Sequence, residues 1–553
     1  MLYYWSDEET FGSEATGSGG HSGESCIVAA GAEGARYCAI YAISNLSGER
    51  TELGTQFALR PTCCKSSESP WQALFSFVAG LINRRKVMVE KISAINSAVN
   101  SFAWGPFMLI LLIGTGIFLS VKTKFPQVGR FGFIWRNTFG SLFKKNTDAD
   151  DDKKNLTPFQ AVTTALASTV GTGNIAGVTG AIFVGGPGAV FWMWFAAFFG
   201  MVTKFAEIVL AMKYREKDEN GAYEGGPMYY IKNGLGKNWT WLAVIFAIFG
   251  GLASFGIGNI AQSSEISGSL NALFGLSPLV SGIILAVIVA LIIIGGIKAI
   301  GTVTSYLVPF MSGFYIIAGI LIIILRIGQI PAMFGLIFRE AFSFKAIEGG
   351  FMGVVIMNAM KQGFARGVFS NEAGLGSAPI AHAASTTKEP VKQGMWGVFE
   401  VFVDTIVICS ITCFAVLLSG VLGTEGGLDA FASKGAAAAS AFNTILPGTI
   451  GGIVIQISLL FFALSTILGW SYYGEKCWGF ISNNNKIVNW AYKIIFIGMC
   501  IIGATGSGTL MWDISDTLNG LMAIPNLIAL LLLSKVVADE VKEYFDKHPK
   551  TEK

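Results

Sequence analysis

The sequence has 553 residues, of which 52% are hydrophobic and only 14% are charged, and its net charge at pH 7 is +3. Ordinary globular chains carry charge on about 25% of their residues, so a water-facing surface of the usual kind is excluded. The small net charge gives no indication of a nucleic-acid partner. The 68 glycines, combined with few charges, are typical of closely packed membrane helices. We therefore predict an integral membrane protein in the lipid bilayer.

Residues 1–87 differ from the rest of the chain. They show little hydrophobic periodicity, contain the Gly/Ser run 17–20 and end in three basic residues, 84–86. A signal peptide needs a basic start followed by an apolar core, which this stretch lacks. We predict that the protein starts at Met88 and that 1–87 is an over-extended reading of the gene. The alternative is a disordered tail with a role of its own.

Eleven stretches of the remaining chain are apolar enough to cross a membrane, which takes about 20 residues each. They leave no room for a large soluble domain. In chain order the predicted spans are 104–121, 159–184, 188–212, 240–264, 278–297, 305–325, 351–382, 394–421, 449–470, 487–504 and 517–535.

Lysine and arginine in the loops predict the orientation, because cytoplasmic loops are enriched in these residues. The loop after the first span holds eight of them and the loop after the third holds five. The loops after the second, fourth and tenth spans hold none. We predict a protein of the cell membrane (plasma or inner) with the N-terminus outside and the C-terminus in the cytoplasm.

Two of the spans contain polar, glycine-rich interruptions. The second span contains Gly-Thr-Gly-Asn at 171–174, and the seventh contains a Gly/Ser/Asn-rich run at 367–376. These residue types weaken helices, and broken backbone at membrane depth is tolerated only inside protein or beside a cavity. We therefore predict that both helices unwind at these points.

The positions of the two interruptions indicate an inverted repeat. With the first span set aside, they fall in the first and sixth of ten spans, so 159–326 and 350–536 each hold five spans. An odd number of spans per half means that the second half enters from the opposite side. The predicted fold is all-α: an extra helix and loop in 88–158, two five-helix repeats and a tail at 537–553. Corresponding broken helices are typical of a transport site at the membrane midplane.

The chemistry expected at the breaks follows from helix ends. A half-helix starting near Gly173 offers free N–H groups and a positive dipole end to a carboxylate. Ser370 or Asn371 is expected to cap the half-helix after the second break, with Glu372 in its first turn. Carbonyl groups on the other side of each break suit a cation.

Six motifs resemble those of the alanine or glycine:cation symporter family. They lie at 171–178, 185–189, 191–194, 225–230, 366–379 and 469–477. The resemblance covers about 88–540, and 1–87 has no counterpart in it. It implies sodium-driven uptake of small neutral amino acids, chiefly alanine or glycine, by a leucine-transporter-like fold. It also implies that Na⁺ is the coupling ion, and that enzymatic activity, an enzymatic cofactor and an obligate protein partner are absent.

In such a fold the substrate lies between the first, third, sixth and eighth core helices. Thr172, Gly173 and Asn174 are then expected to bind the substrate carboxylate, the alternative being close packing of small residues. Gln262 either contacts substrate or makes an interhelical hydrogen bond. Phe369 and Trp470 are expected either to line the pocket or to belong to the hydrophobic core. The other expected substrate contacts are Ser370, Asn371 and Thr466.

The resemblance also implies sodium ligands. By position, the hydroxyls of Ser465 and Thr466 join the carbonyls of Ala167 and Val170 around one ion, since a hard cation prefers oxygen donors. The alternative is that these hydroxyls bond back to their own helix. A second, weaker sodium site would use Thr169 and Asn174 together with the substrate carboxylate.

Charged side chains inside spans are functional candidates by default. Arg366 and Glu372 are expected to act in a gate or in structural pairs. Asp404 is expected to pair with a neighbour. Lys204 and Glu207 lie three residues apart and are expected to pair with each other. Lys361 is a further charge of this kind.

Other functions require features that the sequence offers only weakly. Proton coupling requires a buried carboxylate beside the substrate, for which Glu372 is the nearest candidate. An intramembrane enzyme requires paired aspartates or a Ser–His arrangement, and only one histidine, His382, lies near a span. A channel is a third alternative, but two broken helices favour a carrier.

Overall fold

The protein is described by a computed structural model that covers residues 25–30, 36–41, 88, 90–140, 154–219, 221–342, 354–506 and 509–548. The chain divides into two units, Met1–Arg85 and Lys86–Lys553. In the first unit, β1 (Ser25–Ala30) pairs antiparallel with β2 (Arg36–Tyr41). The other residues of 1–87 lie outside the described part, and their assignment as an extension or tail stays a prediction.

The second unit is built almost entirely of helices, with helical residues 90–103 in front of the first one. In chain order its elements are α1 (Pro106–Lys122), α2 (Pro126–Gly129), α3 (Phe131–Asn137), α4 (Pro158–Thr169), α5 (Val178–Gly185), α6 (Gly188–Tyr214), β3 (Glu216–Lys217), β4 (Tyr223–Glu224), α7 (Pro227–Gly234), α8 (Thr240–Phe255), α9 (Ala261–Phe274), α10 (Pro278–Ile293), α11 (Gly296–Leu325), α12 (Ile330–Ala341), α13 (Val354–Asn371), α14 (Ala378–Ala383), α15 (Pro390–Val401), α16 (Ser410–Ser419), α17 (Lys434–Ile445), α18 (Ile450–Ile481), α19 (Lys486–Ala504), α20 (Thr509–Leu532) and α21 (Ser534–Lys547).

Each of the eleven predicted spans overlaps one of these helices or a pair of them. Within the described ranges, eight helices are long and apolar enough to cross a membrane, and nine if α4 and α5, bent by 47°, form one span. The helix α10 has only 16 residues. The result confirms an integral membrane protein, while the count of eleven spans stays a prediction.

The predicted span 449–470 ends too early, because α18 continues to Ile481. Hydropathy falls at Glu475 and Lys476, but both charges have partners that keep the helix intact. Lys493 pairs with Glu475 at 3.1 Å, and Lys476 pairs with Glu224. Several short helices between the spans were not predicted, namely α2, α3, α7, α12 and α17, nor was α21 after the last span.

The helix α6 is the centre of the unit. It packs against α13, α15, α1 and α14, and most of its 27 residues are buried. The helix α18 is a second centre, which packs against α4, α8, α9 and α17. Both broken helices therefore lie inside protein, which is the only environment that tolerates their open backbone.

Candidate functional site

The first break separates α4 from α5. The helix α4 ends at Thr169, Val170 is extended (φ −78°, ψ 92°), and the chain becomes helical again in a π-turn at Gly173–Gly177. Gly171 N–H donates to Asn174 Oδ1 at 2.8 Å, and Thr172 N–H donates to Gln262 Oε1 at 3.4 Å. In a continuous helix the N–H groups of 171 and 172 would bond the carbonyls four residues earlier, at 167 and 168. The break therefore releases carbonyl groups on one side and N–H groups on the other.

Three side chains from other helices surround the first break. A Cβ atom on Gly171 would lie 2.5 Å from Thr466 Oγ1 of α18 and 3.6 Å from Gln262 Oε1 of α9. A Cβ atom on Gly173 would lie 3.2 Å from the Phe369 ring of α13. The two glycines therefore let polar and aromatic side chains approach the open backbone closely.

The second break comprises residues 372–377, between α13 and α14. Glu372, Gly374 and Gly376 have positive φ angles of 56°, 92° and 84°. The prediction that Ser370 or Asn371 caps the following half-helix is wrong, as is the placement of Glu372 in its first turn. The helix α13 extends through Asn371, so both side chains lie in its last turn, and Asn371 Oδ1 accepts from Ala373 N–H at 3.0 Å.

Both backbone groups of Gly374, the N–H and the carbonyl, are hydrogen-bonded to buried side chains. Its N–H donates to Glu207 Oε1 of α6 at 3.0 Å, and its carbonyl accepts from Asn526 Nδ2 of α20 at 2.9 Å. Asn526 Nδ2 also donates to Glu207 Oε1 at 2.5 Å, and Tyr230 O–H donates to Asn526 Oδ1. Three helices, α6, α7 and α20, are thus hydrogen-bonded to one another and to the loop at this point.

Glu372 has two donors of its own. Trp470 Nε1 of α18 donates to its Oε1 at 3.0 Å, and Ser377 Oγ donates to its Oε2 at 2.5 Å. All three side chains are buried. Glu372 is thus hydrogen-bonded inside the protein, and Trp470 joins α18 to the second break; the choice between a gate and a structural pair stays a prediction.

Asp404 links the two broken helices. It lies in a π-helical segment, Phe402–Cys409, between α15 and α16 and is 1% exposed. Asn174 Nδ2 donates to its Oδ1 at 2.6 Å, and Ser370 Oγ donates to its Oδ2 at 2.7 Å. Thr405 Oγ1 also donates to Oδ2, at 2.9 Å. One residue from the first break and one from the helix before the second thus meet at a single buried carboxylate.

Lys204 does not pair with Glu207, as the sequence spacing suggested, but with Glu400 of α15 at 2.9 Å. Its Nζ also donates to the carbonyl of Asn371 at 3.0 Å, at the C-terminal end of α13 where a cation is favourable. His382 Nε2 lies 2.6 Å from the other Glu400 oxygen. The expectation failed because tertiary partners compete with the neighbour along the helix.

The hydroxyls expected to bind sodium make bonds within their own helices. Ser465 and Thr466 both donate to the carbonyl of Phe462 at 2.9 Å, and Thr169 donates to Ala165 at 2.8 Å. A hydroxyl that donates one bond keeps lone pairs that can face a cation. Helix α18 also lies close to α4, since a Cβ atom on Gly469 would clash with Ser168 Oγ.

The structure brings together most, but not all, of the expected site residues. Asn371 donates to Thr405 Oγ1 and Trp470 donates to Glu372, so both side chains are engaged at the second break. Arg366 lies over the Phe369 ring at 5.4 Å, and Lys361 is exposed. The residues gathered at or beside the first break are Thr172, Gly173, Asn174, Gln262, Phe369, Ser370 and Thr466.

Sequence reasoning missed the roles of Glu207, Asn526 and Asp404. Each is a polar residue in an apolar stretch, which was a usable signal that a partner exists. The identity of the partner was not readable, because Glu207 and Asn526 are 319 residues apart and Asn174 and Asp404 are 230 apart.

The two broken helices are also joined at their far ends. Leu156, just before α4, donates its N–H to Ala384 O at 2.9 Å and accepts from Thr386 N–H at 2.8 Å. Arg215 donates to the carbonyls of Ala383 and Thr387 at 3.0 and 2.8 Å. These bonds close the end of the molecule where α4 begins and α14 ends.

Comparison with known proteins gives a consistent result. Residues 89–553 match the model of the sodium:alanine symporter family. The sodium/alanine symporter AgcS of Methanococcus maripaludis is 47% identical over 461 residues, covering 82% of this chain and 98% of that protein. A Bacillus subtilis protein named "probable sodium/glutamine symporter GlnT" is 38% identical over 458 residues, covering 83% and 91%. Among solved structures, MhsT in complex with L-phenylalanine has a TM-score of 0.49 and 14% identity, covering 69% of this chain and 97% of that chain.

The family match extends over most of the chain, and it confirms the resemblance inferred from the six motifs. It also confirms that the protein is a transporter and not an enzyme. The chain belongs to the sodium:alanine symporter family.

Proposed function

We propose that the protein imports a small neutral amino acid, alanine or glycine, together with Na⁺ by alternating access. The observation that carries the proposal is the first break, where Thr172 N–H has left the helix, has only a 3.4 Å bond to Gln262, and lies near Phe369 and Thr466. A carboxylate is the ligand that such N–H groups favour. The names of the relatives, which include a sodium/alanine symporter, support the choice of substrate and ion.

The proposed fold is leucine-transporter-like, with α1 as an extra helix and two five-helix repeats in opposite orientation. Its eleven spans include the short α10 and the two broken helices. The N-terminus lies outside and the C-terminus in the cytoplasm, because basic residues are concentrated in the loops after α1 and α6. In this orientation the closed end held by Leu156 and Arg215 faces the cytoplasm.

The substrate carboxylate binds the N–H groups of Thr172 and Gly173. The existing bond from Thr172 N–H to Gln262 is 3.4 Å long, beyond the usual range, so a carboxylate displaces it at little cost. Gln262 then adjoins the bound amino acid. Phe369 limits the size of the side chain, which discriminates by about 1–3 kcal/mol per extra methylene.

One Na⁺ binds between the carbonyls of Ala167 and Val170 and the hydroxyls of Ser465 and Thr466. A second binds near Asn174 and Thr169. The substrate carboxylate and the buried Asp404 carboxylate, which accepts from Asn174 and Ser370, give the second site its negative charge. A buried carboxylate held only by neutral donors is stabilised by a cation.

Proton coupling is the second candidate function, and the same carboxylate favours it. Asp404 could carry a proton where the first proposal places Na⁺. The variant Asp404→Asn distinguishes the two, since it removes the negative charge and keeps a side chain of the same shape. It should raise the Na⁺ concentration for half-maximal uptake under the sodium proposal, and should abolish uptake driven by a pH gradient under the proton proposal.

The proposal is tested with the full-length protein in liposomes. Uptake of radiolabelled L-alanine is measured under an inward Na⁺ gradient and under an inward proton gradient, with glycine, D-alanine and leucine as competitors. We expect accumulation driven by Na⁺ and blocked by glycine. Accumulation driven by the proton gradient alone would replace the sodium assignment, and accumulation under neither gradient would reject the symporter.

A further inference from the structure

Three charged side chains lie near one another around α5, the helix that follows the first break. They are Glu265 of α9, Arg366 of α13 and Lys434 at the start of α17. Within the described part of the chain, none of the three takes part in an ion pair or hydrogen bond. Charges of both signs that lie close together without pairing need another explanation than mutual stabilisation.

Their positions relative to the substrate residues are fixed by the helices. Glu265 follows Gln262 by three residues, which is nearly one helical turn or about 4.5 Å along the axis. Arg366 precedes Phe369 by three residues, and its guanidinium lies 5.4 Å from the centre of that ring. Each charge is thus about one turn away from a residue that contacts the first break.

Lys434 closes the group from the opposite side. A Cβ atom on Gly180 of α5 would lie 3.0 Å from Lys434 Cδ, so the lysine stem runs along the helix that leaves the first break. A Cβ atom on Gly435 would lie 3.1 Å from Glu265 Oε2. The start of α17 therefore touches both α5 and the Glu265 carboxylate.

Lys434 lies among charges of both signs. Partial removal from water lowers the pKa of Lys434, the nearby Arg366 lowers it further, and Glu265, Asp516 and Asp513 partly offset these effects. Asn100 donates to Asp516 at 3.0 Å. A ligand that carries both signs of charge can therefore pair with Glu265 and with the two cations at once.

We propose that Glu265, Arg366 and Lys434 form an outer recognition site for a zwitterionic amino acid on its way to the first break. Glu265 binds the α-ammonium group, and Arg366 and Lys434 bind the α-carboxylate. Because both signs of charge are needed, the site selects zwitterions against simple amines and simple carboxylic acids. The inference rests on the proposed function and adds a second binding step to it.

An outer site of this kind affects the initial binding of the amino acid more than its translocation across the membrane. Charges near the surface raise the local concentration and the association rate of a charged ligand, and added salt weakens the effect. We therefore expect KM for alanine to depend on these residues and on ionic strength, while Vmax does not.

The test is the initial rate of Na⁺-driven L-alanine uptake by the full-length protein in liposomes, at low and high ionic strength set with choline chloride. We expect Glu265→Gln and Lys434→Gln each to raise KM about five- to tenfold, with Vmax within about twofold of the unchanged protein. Glu265→Asp keeps the charge and should restore most of the affinity. The salt dependence of KM should decrease in Glu265→Gln.

Two exposed residues serve as controls, Glu425→Gln and Lys486→Gln, which should leave KM unchanged. An unchanged KM in both Glu265→Gln and Lys434→Gln would overturn the outer site while leaving the symporter intact. A loss of Vmax at constant KM, with normal thermal stability, would also overturn it, because it would place these residues in translocation. Absence of Na⁺-driven uptake by the unchanged protein would instead reject the proposed function itself.

Discussion

The two breaks differ in how their open backbone is satisfied. At the first break, Gly171 N–H donates to the Asn174 amide oxygen at 2.8 Å, but Thr172 N–H reaches the neutral Gln262 amide oxygen only at 3.4 Å. At the second break, Glu207 accepts from Gly374 N–H at 3.0 Å and Lys204 donates to the last carbonyl of α13 at 3.0 Å. One N–H group of the first break therefore has only a weak protein partner, whereas the backbone at the second break is bonded by charged side chains.

This difference separates two roles that the sequence pattern presents as equivalent. A backbone group with a weak protein partner is available to a ligand, because the ligand replaces little. A backbone group bonded to a buried carboxylate is not, since an unpaired buried partner would be left behind. We infer that the first break binds substrate and ion, and that the second holds the scaffold against which it moves.

The largest expected effect is on stability, from Glu207→Ala at the second break. The change leaves Gly374 N–H and Asn526 without their shared acceptor, and each unsatisfied buried group costs about 1–3 kcal/mol. We expect a clear fall in the thermal unfolding midpoint of the protein in detergent. Glu207→Gln keeps an acceptor oxygen and should recover most of the stability. An alanine variant as stable as the unchanged protein would contradict the scaffold role.

The next effect is on transport, from Gly171→Ala at the first break. The new Cβ atom would lie 2.5 Å from Thr466 Oγ1, so the hydroxyl must move from its place beside the open backbone. We expect L-alanine uptake to fall at least about tenfold, the equivalent of about 1.4 kcal/mol, while stability changes little. The control is Gly177→Ala at the end of the π-turn that follows the break, where a Cβ atom meets nothing within 4 Å. Equal loss in both variants would show that the effect is not local to Thr466.

A smaller and more specific effect is expected from Thr466→Ala. Removal of one sodium ligand should raise the Na⁺ concentration for half-maximal uptake by about five- to tenfold, the equivalent of about 1–1.4 kcal/mol. The variant Thr466→Ser keeps the hydroxyl and should behave nearly as the unchanged protein. Identical Na⁺ activation curves for Thr466→Ala and the unchanged protein would remove this residue from the ion site.

The smallest effect is expected from Gln262→Ala. It removes the long bond from Thr172 N–H and the bond that Gln262 Nε2 donates to Ile257 within the same segment, both neutral. Bonds of this kind contribute about 0.5–1.5 kcal/mol, and only the first faces the site. We expect KM for alanine to rise about two- to threefold, as measured by initial uptake rates. A rise of a hundredfold would mean that Gln262 is a principal substrate ligand and that Thr172 N–H is not available to the carboxylate.

Local signals in the sequence located much of the fold and both breaks. Apolar stretches predicted the helices, because membrane helices are defined by their own composition. The second break was expected to begin at Gly367 but begins at Glu372. A Cβ atom on Gly367 would lie 3.3 Å from Met193 of α6, so this glycine serves close helix packing and not unwinding. Composition alone does not distinguish these two uses of glycine.

The partners of the buried charges were beyond sequence reasoning. Lys204 and Glu207 are neighbours along α6, yet one bonds Glu400 and the other bonds Asn526. Spacing along one helix predicts the ion pairs that an isolated helix would form. In the protein, the packing of several helices determines which partners the charged side chains meet. The candidate site was therefore predictable at its backbone, at 171–174, and not at the carboxylates that support it.

The most direct test of the account is a structure of the full-length protein determined by cryo-electron microscopy with L-alanine and Na⁺ bound. The account predicts the alanine carboxylate within hydrogen-bonding distance of the N–H groups of Thr172 and Gly173. It also predicts an ion between Ala167 O and Thr466 Oγ1, with Glu207 still bonded to Gly374. Alanine bound at residues 372–377, with the bond between Glu207 and Gly374 broken, would contradict it.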